Sequence, residues 1–236
     1  MKRQKVQALV LARRSLGEAD RLVTLFTREA GLMRVLAKGV RKIPSRRGGH
    51  LEPFTKILAI VNASRDWQYL AHAETLDYFP RLRADGVSLK TAEQLGKLLL
   101  GVMGEGQANT ALFDHLQSVW QELPRRAFAK QVLMEITAAL VILLVAGLGP
   151  NLSSCQRCGR GAPEDALVLD GQEGGWHCLT CHGALSGARM SLPPRLLKVL
   201  KYILAKPEYA LRLKLSNEEG AQLLAALRGY TTYVTA

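Results

Sequence analysis

Leu32-Met33-Arg34-Val35-Leu36-Ala37-Lys38 alternates in the manner of a half-buried strand. Side chains along a strand point to opposite faces with a period of two. Met33, Val35 and Ala37 therefore share one face, and Arg34 and Lys38 share the other with Leu32 and Leu36. Upstream, the aliphatic run Val6 to Arg14 reads as a first strand, and Arg21 to Arg28 as a second after a turn at Gly17-Glu18. Glu29-Ala30-Gly31 then turns the chain into the quoted run. Downstream, Phe54 to Val61 reads as a fourth strand, and Trp67 to Leu76 as a fifth after the turn Asn62 to Asp66. Five short strands with tight turns predict a small closed barrel over residues 1–80.

Charge singles out the same region. The chain has 236 residues and a formal net charge of +12. Residues 1–83 hold 17 Lys+Arg against 7 Asp+Glu, whereas residues 84–236 hold 15 against 13. Solvation needs charge of either sign, but not one sign concentrated in one segment. The excess predicts a polyanionic partner. Gly39 to His50 strengthens the case, holding Arg41, Lys42, Arg46 and Arg47 with no acid and two adjacent glycines.

From Asp85 the apolar period becomes helical: Leu95, Leu98, Leu99 and Val102, then Ala111, Leu112, Leu116 and Val119, then Val132 through Leu144. Gly147 and Gly149-Pro150 stop the third helix, and two more are expected at Pro194 to Ala205 and Asn217 to Val234. The fold class is thus α+β, with a barrel at 1–80 and a helical domain at 81–236. The apolar run Ile136 to Gly149 is shorter than the roughly 20 residues a bilayer span needs and reads as a buried helix. Met1-Lys2-Arg3 and the short apolar stretch after it run into Arg13-Arg14 without a cleavage-like region, so this start reads as a strand. A cytoplasmic protein with no membrane partner is expected.

The four cysteines form one pattern, Cys155-x2-Cys158 and, after nineteen residues, Cys178-x2-Cys181. Two such pairs at this spacing are a zinc signature, each presenting two thiolates to one tetrahedral ion. Disulfides or inert thiols are the competing readings, and an intracellular setting disfavours disulfides. His177 and His182 flank the second pair and are possible substitute ligands. Four thiolates complete a tetrahedron, which predicts one structural Zn2+ in a module at about 151–186.

The sequence contains no Gly-x-x-x-x-Gly-Lys-Ser/Thr phosphate loop, no His-Glu-x-x-His and no Gly-x-Ser-x-Gly. A non-enzyme is expected. A nuclease would need metal ligands such as Asp20, Asp66 and Asp77, although aspartate is common in turns for local reasons.

Three stretches together resemble the RecO family of bacterial recombination mediators. They are Gly17 to Thr27, Leu36 to Lys42 continuing through Ser45-Arg46 to Leu51-Glu52-Pro53-Phe54, and Ala146 to Leu152 leading into Cys155-x2-Cys158-Gly159. The resemblance implies an oligonucleotide/oligosaccharide-binding (OB) barrel followed by a helical domain with an inserted zinc module. It further implies binding of single- and double-stranded DNA and annealing of strands coated with single-strand-binding protein (SSB). Loading of RecA together with RecR, in a nucleoid-associated setting, is also implied. An RNA-binding or transcription-associated zinc protein is the alternative.

For the OB reading, Arg34, Lys38, Arg41, Lys42, Arg46 and Arg47, with Arg13 and Arg14, are the candidate phosphate contacts. Trp67, Tyr69 and Phe54 are the candidate stacking residues. An acidic, apolar SSB tail would need a groove edged by positive charge, for which Arg125, Arg126 and Lys130 are candidates.

Overall fold

The computed structural model describes residues 2–41, 48–64, 67–161, 166–182 and 191–235. The α+β class is observed. The chain divides into two compact units, Met1–Ala92 with Met103–Pro124, and Glu93–Val102 with Arg125–Ala236.

The first unit is built on β1 (Lys2–Leu16), β2 (Asp20–Thr27), β3 (Gly31–Ala37), β4 (Lys56–Ala63) and β5 (Gln68–Asp77), closed in the order β1-β2-β3-β5-β4. β1 serves two neighbours. Its Lys2–Leu9 half pairs with β4, and its Ala8–Leu16 half pairs with β2. An irregularity between Val10 and Ala12 lets the strand bend from one partner to the other. The ring closes through a short parallel pairing, Val35 with Gln68 and Leu36 with Tyr69. Small and branched side chains fill the interior, including Val6, Ala8, Val10, Val23, Leu25, Met33, Val35, Ala37, Ile57, Ala59 and Val61. The alternation expected for residues 32–38 is therefore present.

The fourth strand begins later than expected. Phe54 has φ 58° and lies outside β4. Its N–H donates to the Val10 carbonyl at 2.7 Å, and the Val10 N–H donates to the Thr55 carbonyl at 2.9 Å. Its ring packs edge-on against Trp120 of α3 (Thr110–Glu122), which also meets Phe79. Phe54 is buried and is thereby removed from the stacking candidates. Arg83, in α1 (Pro80–Ala84), donates to the carbonyls of Pro53 and Phe54 and to the Thr55 hydroxyl. This binds the Leu51 to Phe54 stretch to the barrel wall.

The second unit contains the end of α2 (Gly86–Val102), α4 (Phe128–Val145), α6 (Pro194–Ala205) and α7 (Asn217–Val234). The last two match the expected spans. Ser216 and Glu219 form a reciprocal cap at the start of α7. α4 starts earlier than the apolar run suggested, at Phe128. Its 18 residues, of mean hydropathy 2.0, are long and apolar enough by composition to cross a membrane, yet 61% of them are buried inside the protein. Burial, rather than shortness, identifies it as a core helix. Its one buried acid, Glu135, accepts from Arg228 of α7 at 2.7 Å, so the charge enters the interior paired.

Trp120 is 1% exposed and Trp67 is 45% exposed. Trp120→Ala is expected to lower unfolding free energy by about 3–5 kcal/mol, and Trp67→Ala to change it by no more than about 0.5 kcal/mol. Urea titration of the two variants beside the parent measures both. Equal losses would contradict this packing.

Candidate metal centre and candidate nucleic-acid interface

A second sheet in the order β6-β8-β7-β9 carries the cysteines. Its strands are β6 (Asn151–Cys155), β7 (Leu167–Asp170), β8 (Gly175–Cys178) and β9 (Ser191–Leu192). Cys155 and Cys178 end strands that run parallel, and Cys155 registers with Trp176. Cys158 lies in the turn after β6, where Gly159 takes φ +72° and donates to the Cys155 carbonyl at 3.0 Å. Cys181 comes from the short α5 (Leu179–His182).

All four Sγ atoms lie within 4.8 Å of one another, with Cys155 to Cys178 at 3.9 Å and Cys158 to Cys178 at 3.8 Å. A tetrahedron with metal–sulfur bonds of about 2.3 Å sets its sulfurs about 3.8 Å apart. The donor set fits one four-coordinate ion.

The thiols are unequal. A hydrogen bond from the Thr180 hydroxyl, opposed by burial, brings Cys178 down to about 6. Burial opposes ionisation of Cys155, but backbone N–H donors of Cys158, Cys178 and Arg157 outweigh it and bring the thiol to about 7. Cys181, hydrogen-bonded to Cys178 and beside the other sulfurs, is pushed up to about 12. Four thiolates cannot all ionise so close together without a cation, and a divalent ion reverses that penalty. His177 is fully buried on β8 with its Nε2 3.8 Å from the Asp170 carboxylate, and the four-donor set is complete without it. The side chain of His182 lies outside the described ones.

The basic candidates of the barrel separate into two groups. Arg14, Leu22, Leu36 and Tyr69 form one cross-strand row on the outer face, and Arg34 stands in the next row opposite Thr24. Arg14 and Arg34 line a surface groove of ≈ 370 Å³ together with Leu22, Trp67, Gln68 and Glu105. The Lys38 ammonium lies 4.7 Å from the centre of the Tyr69 ring. Arg34 is ion-paired with Glu105 at 3.1 Å.

Arg13 faces the other way, registering with interior Val23 and pairing with Glu52. Arg21, paired with Ser15 and Ala37, belongs to this side too. Partial burial, and then the Arg13 and Arg41 charges, hold its guanidinium below the usual arginine range, with Glu52 opposing. Arg41 donates to the Gly17 carbonyl at 3.0 Å. Lys42, Arg46 and Arg47 lie outside the described residues, as does Asp66. Asp20 accepts from the Gly39 N–H and Asp77 from the Phe79 N–H, so both hold turns together.

In the second unit, Arg125 and Arg126 are exposed before α4. Lys130 directs its ammonium to the carbonyls of Leu211 and Leu213 at 2.6 and 2.9 Å, closing the 3-10 segment Pro207–Arg212. A further basic surface escaped the sequence reading. Residues 194–214 hold six Lys+Arg and one acid, Glu208. On α6, Arg195, Lys198, Lys201 and Tyr202 are exposed, while Leu196, Leu197, Leu200 and Ile203 are buried. Counting charge over all of residues 84–236 concealed this cluster, although a shorter window contains it.

Fold and sites together define an OB-type barrel protein with an attached helical unit and a four-thiol module able to hold one metal ion. The family model described as Recombination protein O N terminal matches residues 1–79, and that described as Recombination protein O C terminal matches residues 83–235. The chain is 30% identical over 233 residues to the DNA repair protein RecO of Roseiflexus sp. (strain RS-1), covering 98% of this chain and 80% of that protein. It is 30% identical over 241 residues to the DNA repair protein RecO of Pelotomaculum thermopropionicum (strain DSM 13744 / JCM 10971 / SI), covering 99% and 90%. With the DNA repair protein RecO of Synechococcus sp. (strain JA-2-3B'a(2-13)), identity is 37% over 179 residues, covering 72% of this chain and 62% of that protein. The chain belongs to the Recombination protein O family of DNA repair proteins. The relatives' names give DNA repair.

Treatment with a strong chelator is expected to lower the melting temperature by at least about 5 °C, because ion binding to a four-thiol site of this kind is coupled to folding. Differential scanning calorimetry with and without chelator tests this. An unchanged melting temperature would remove the structural role.

Proposed function

We propose that this protein is a DNA-binding mediator of recombinational repair. In this reading it anneals complementary strands coated with SSB and, with RecR, promotes RecA loading. The observation that carries the reading is the groove on the outer face of β2 and β3. Arg14, Arg34 and exposed Trp67 converge there, beside the turn between β4 and β5. OB folds take oligonucleotides on this face and at this turn. Arg14, Arg34 and Lys38 contact phosphates, and Arg13, Arg41, Lys42, Arg46 and Arg47 add further phosphate contacts. Trp67 stacks on a base.

Annealing requires two strands held with their pairing edges free. Phosphate-directed Arg and Lys contacts allow this because they position a strand without reading its bases. The exposed α6 face, with Lys198, Lys201 and Tyr202, supplies a second such surface. No nucleotide hydrolysis is required. The SSB tail docks near Arg125 and Arg126. The four thiolates hold one structural Zn2+, since an all-sulfur tetrahedron suits that ion. Residues 1–80 form the nucleic-acid-binding domain, and the protein works in the cytoplasm at the nucleoid.

The deciding experiment mixes two complementary single strands precoated with SSB, with and without the protein and without ATP. Acceleration of pairing is expected. No acceleration by folded, metal-loaded protein would overturn the mediator reading and favour structured RNA as the ligand. Affinity for single strands should fall with a log–log salt slope near about −4 if roughly six phosphates are engaged. Trp67→Ala should cost about 1–3 kcal/mol of that affinity. In the same assay Lys198→Glu with Lys201→Glu should slow annealing more than it weakens binding of one strand. Arg125→Glu with Arg126→Glu should weaken binding of an SSB-tail peptide, and unchanged peptide binding would discard that docking site.

A further inference from the structure

Glu105 is an acid inside a groove otherwise built to attract phosphate. It is not a side chain that wanders there from a loose loop. The loop between α2 and α3 is fastened to the edge of β3, where Glu105 forms a parallel bridge with Leu32 and the Gly106 N–H donates to the Leu32 carbonyl at 2.9 Å. One residue further on, the contact is tighter still. A Cβ on Gly31 would lie 2.2 Å from the Gln107 carbonyl oxygen, so the turn into β3 and this loop approach as closely as their backbones allow. The result places the Glu105 carboxylate 3.1 Å from the Arg34 guanidinium, in the groove that Arg14 and Trp67 also line. The side chains are 64% and 56% exposed, so the pair is held weakly by energy and firmly by position.

Resting on the groove as the single-strand site, we infer that Glu105 is a built-in competitor for one DNA phosphate. With the groove empty, its carboxylate occupies Arg34 as a phosphate oxygen would. A strand entering the groove must displace it, and on release the carboxylate returns. Counterions follow the same exchange. A phosphate that takes Arg34 releases a cation from the DNA, while the displaced carboxylate gathers one, so this contact adds almost nothing to the salt dependence. A protein that pairs strands has to let them go, and an acid fixed in the groove limits affinity where tight holding would stall exchange.

Glu105→Gln in the whole chain, with folding checked by circular dichroism, is the test, and Glu74→Gln, an exposed acid of β5, is the charge-matched control. Fluorescence anisotropy with a labelled single strand is expected to show about three- to tenfold tighter binding at low salt. The log–log salt slope should steepen by about 0.7, the contribution of one freed phosphate contact on a single strand. The control should change neither by as much. Arg34→Ala should cost little in the parent, where the guanidinium is already occupied, and several-fold more in the Glu105→Gln background. Equal costs in both backgrounds would overturn the inference, as would weaker binding by Glu105→Gln, which would make the acid a support for Arg34. If the combined Arg14→Ala, Arg34→Ala and Trp67→Ala variant binds single strands as the parent does, the groove reading falls and this inference falls with it.

Discussion

A strand of fifteen residues cannot lie flat in a barrel this small and still pair with a neighbour on each side. β1 meets the constraint by breaking step between Val10 and Ala12. On the β4 side the Phe54–Thr55 backbone exchanges hydrogen bonds with Val10 and carries that ladder one step further. Much else hangs on that joint. Ahead of it β1 pairs with β4 and, from Ala8 on, with β2 as well; beyond it β1 stays with β2 and carries Arg13 and Arg14 to opposite sides of the wall. The left-handed backbone at Phe54 turns its ring onto Trp120, and Arg83 closes the carbonyls behind it. One bend thus links the interior, the covering helix α3 and the two basic surfaces.

The period-two pattern made the strands legible, because a one-residue slip would exchange Met33, Val35 and Ala37 for Arg34 and Lys38. Helices α6 and α7 were equally plain, and their spans are those expected. What was hidden depended on distant partners. Phe54 reads as a strand aromatic until Trp120, far along the chain, claims it. Lys130 looks like a free charge until the carbonyls of Leu211 and Leu213 come to it. Glu105 carries no local signal at all, since only its return to the edge of β3 gives it meaning. The basic side of α6 is a different case. It was present in the sequence, and a count over too long a window diluted it.

The cysteine module shows why its spacing was the most readable feature. Two parallel strands bring Cys155 and Cys178 together, and a turn and the short α5 supply Cys158 and Cys181, so each pair is set by its own short local segment. Ligand identity then follows from the intervals alone. The uneven acidities do not, because they arise from the Thr180 hydroxyl and from backbone donors that no spacing rule reveals.

The apolar length of α4 has a consequence for how the chain is made. This helix leaves the ribosome before α7, which pairs its buried acid Glu135 through Arg228, has been synthesised. Extending the chain from Ala146 to Ser216 takes roughly 4–14 s at bacterial and eukaryotic elongation rates. Over that interval a helix with the hydropathy of a membrane segment has not yet met its last partner. The order of elements therefore leaves the cover of α4 to parts of the chain made after it, first α6 and the 207–212 segment and last α7.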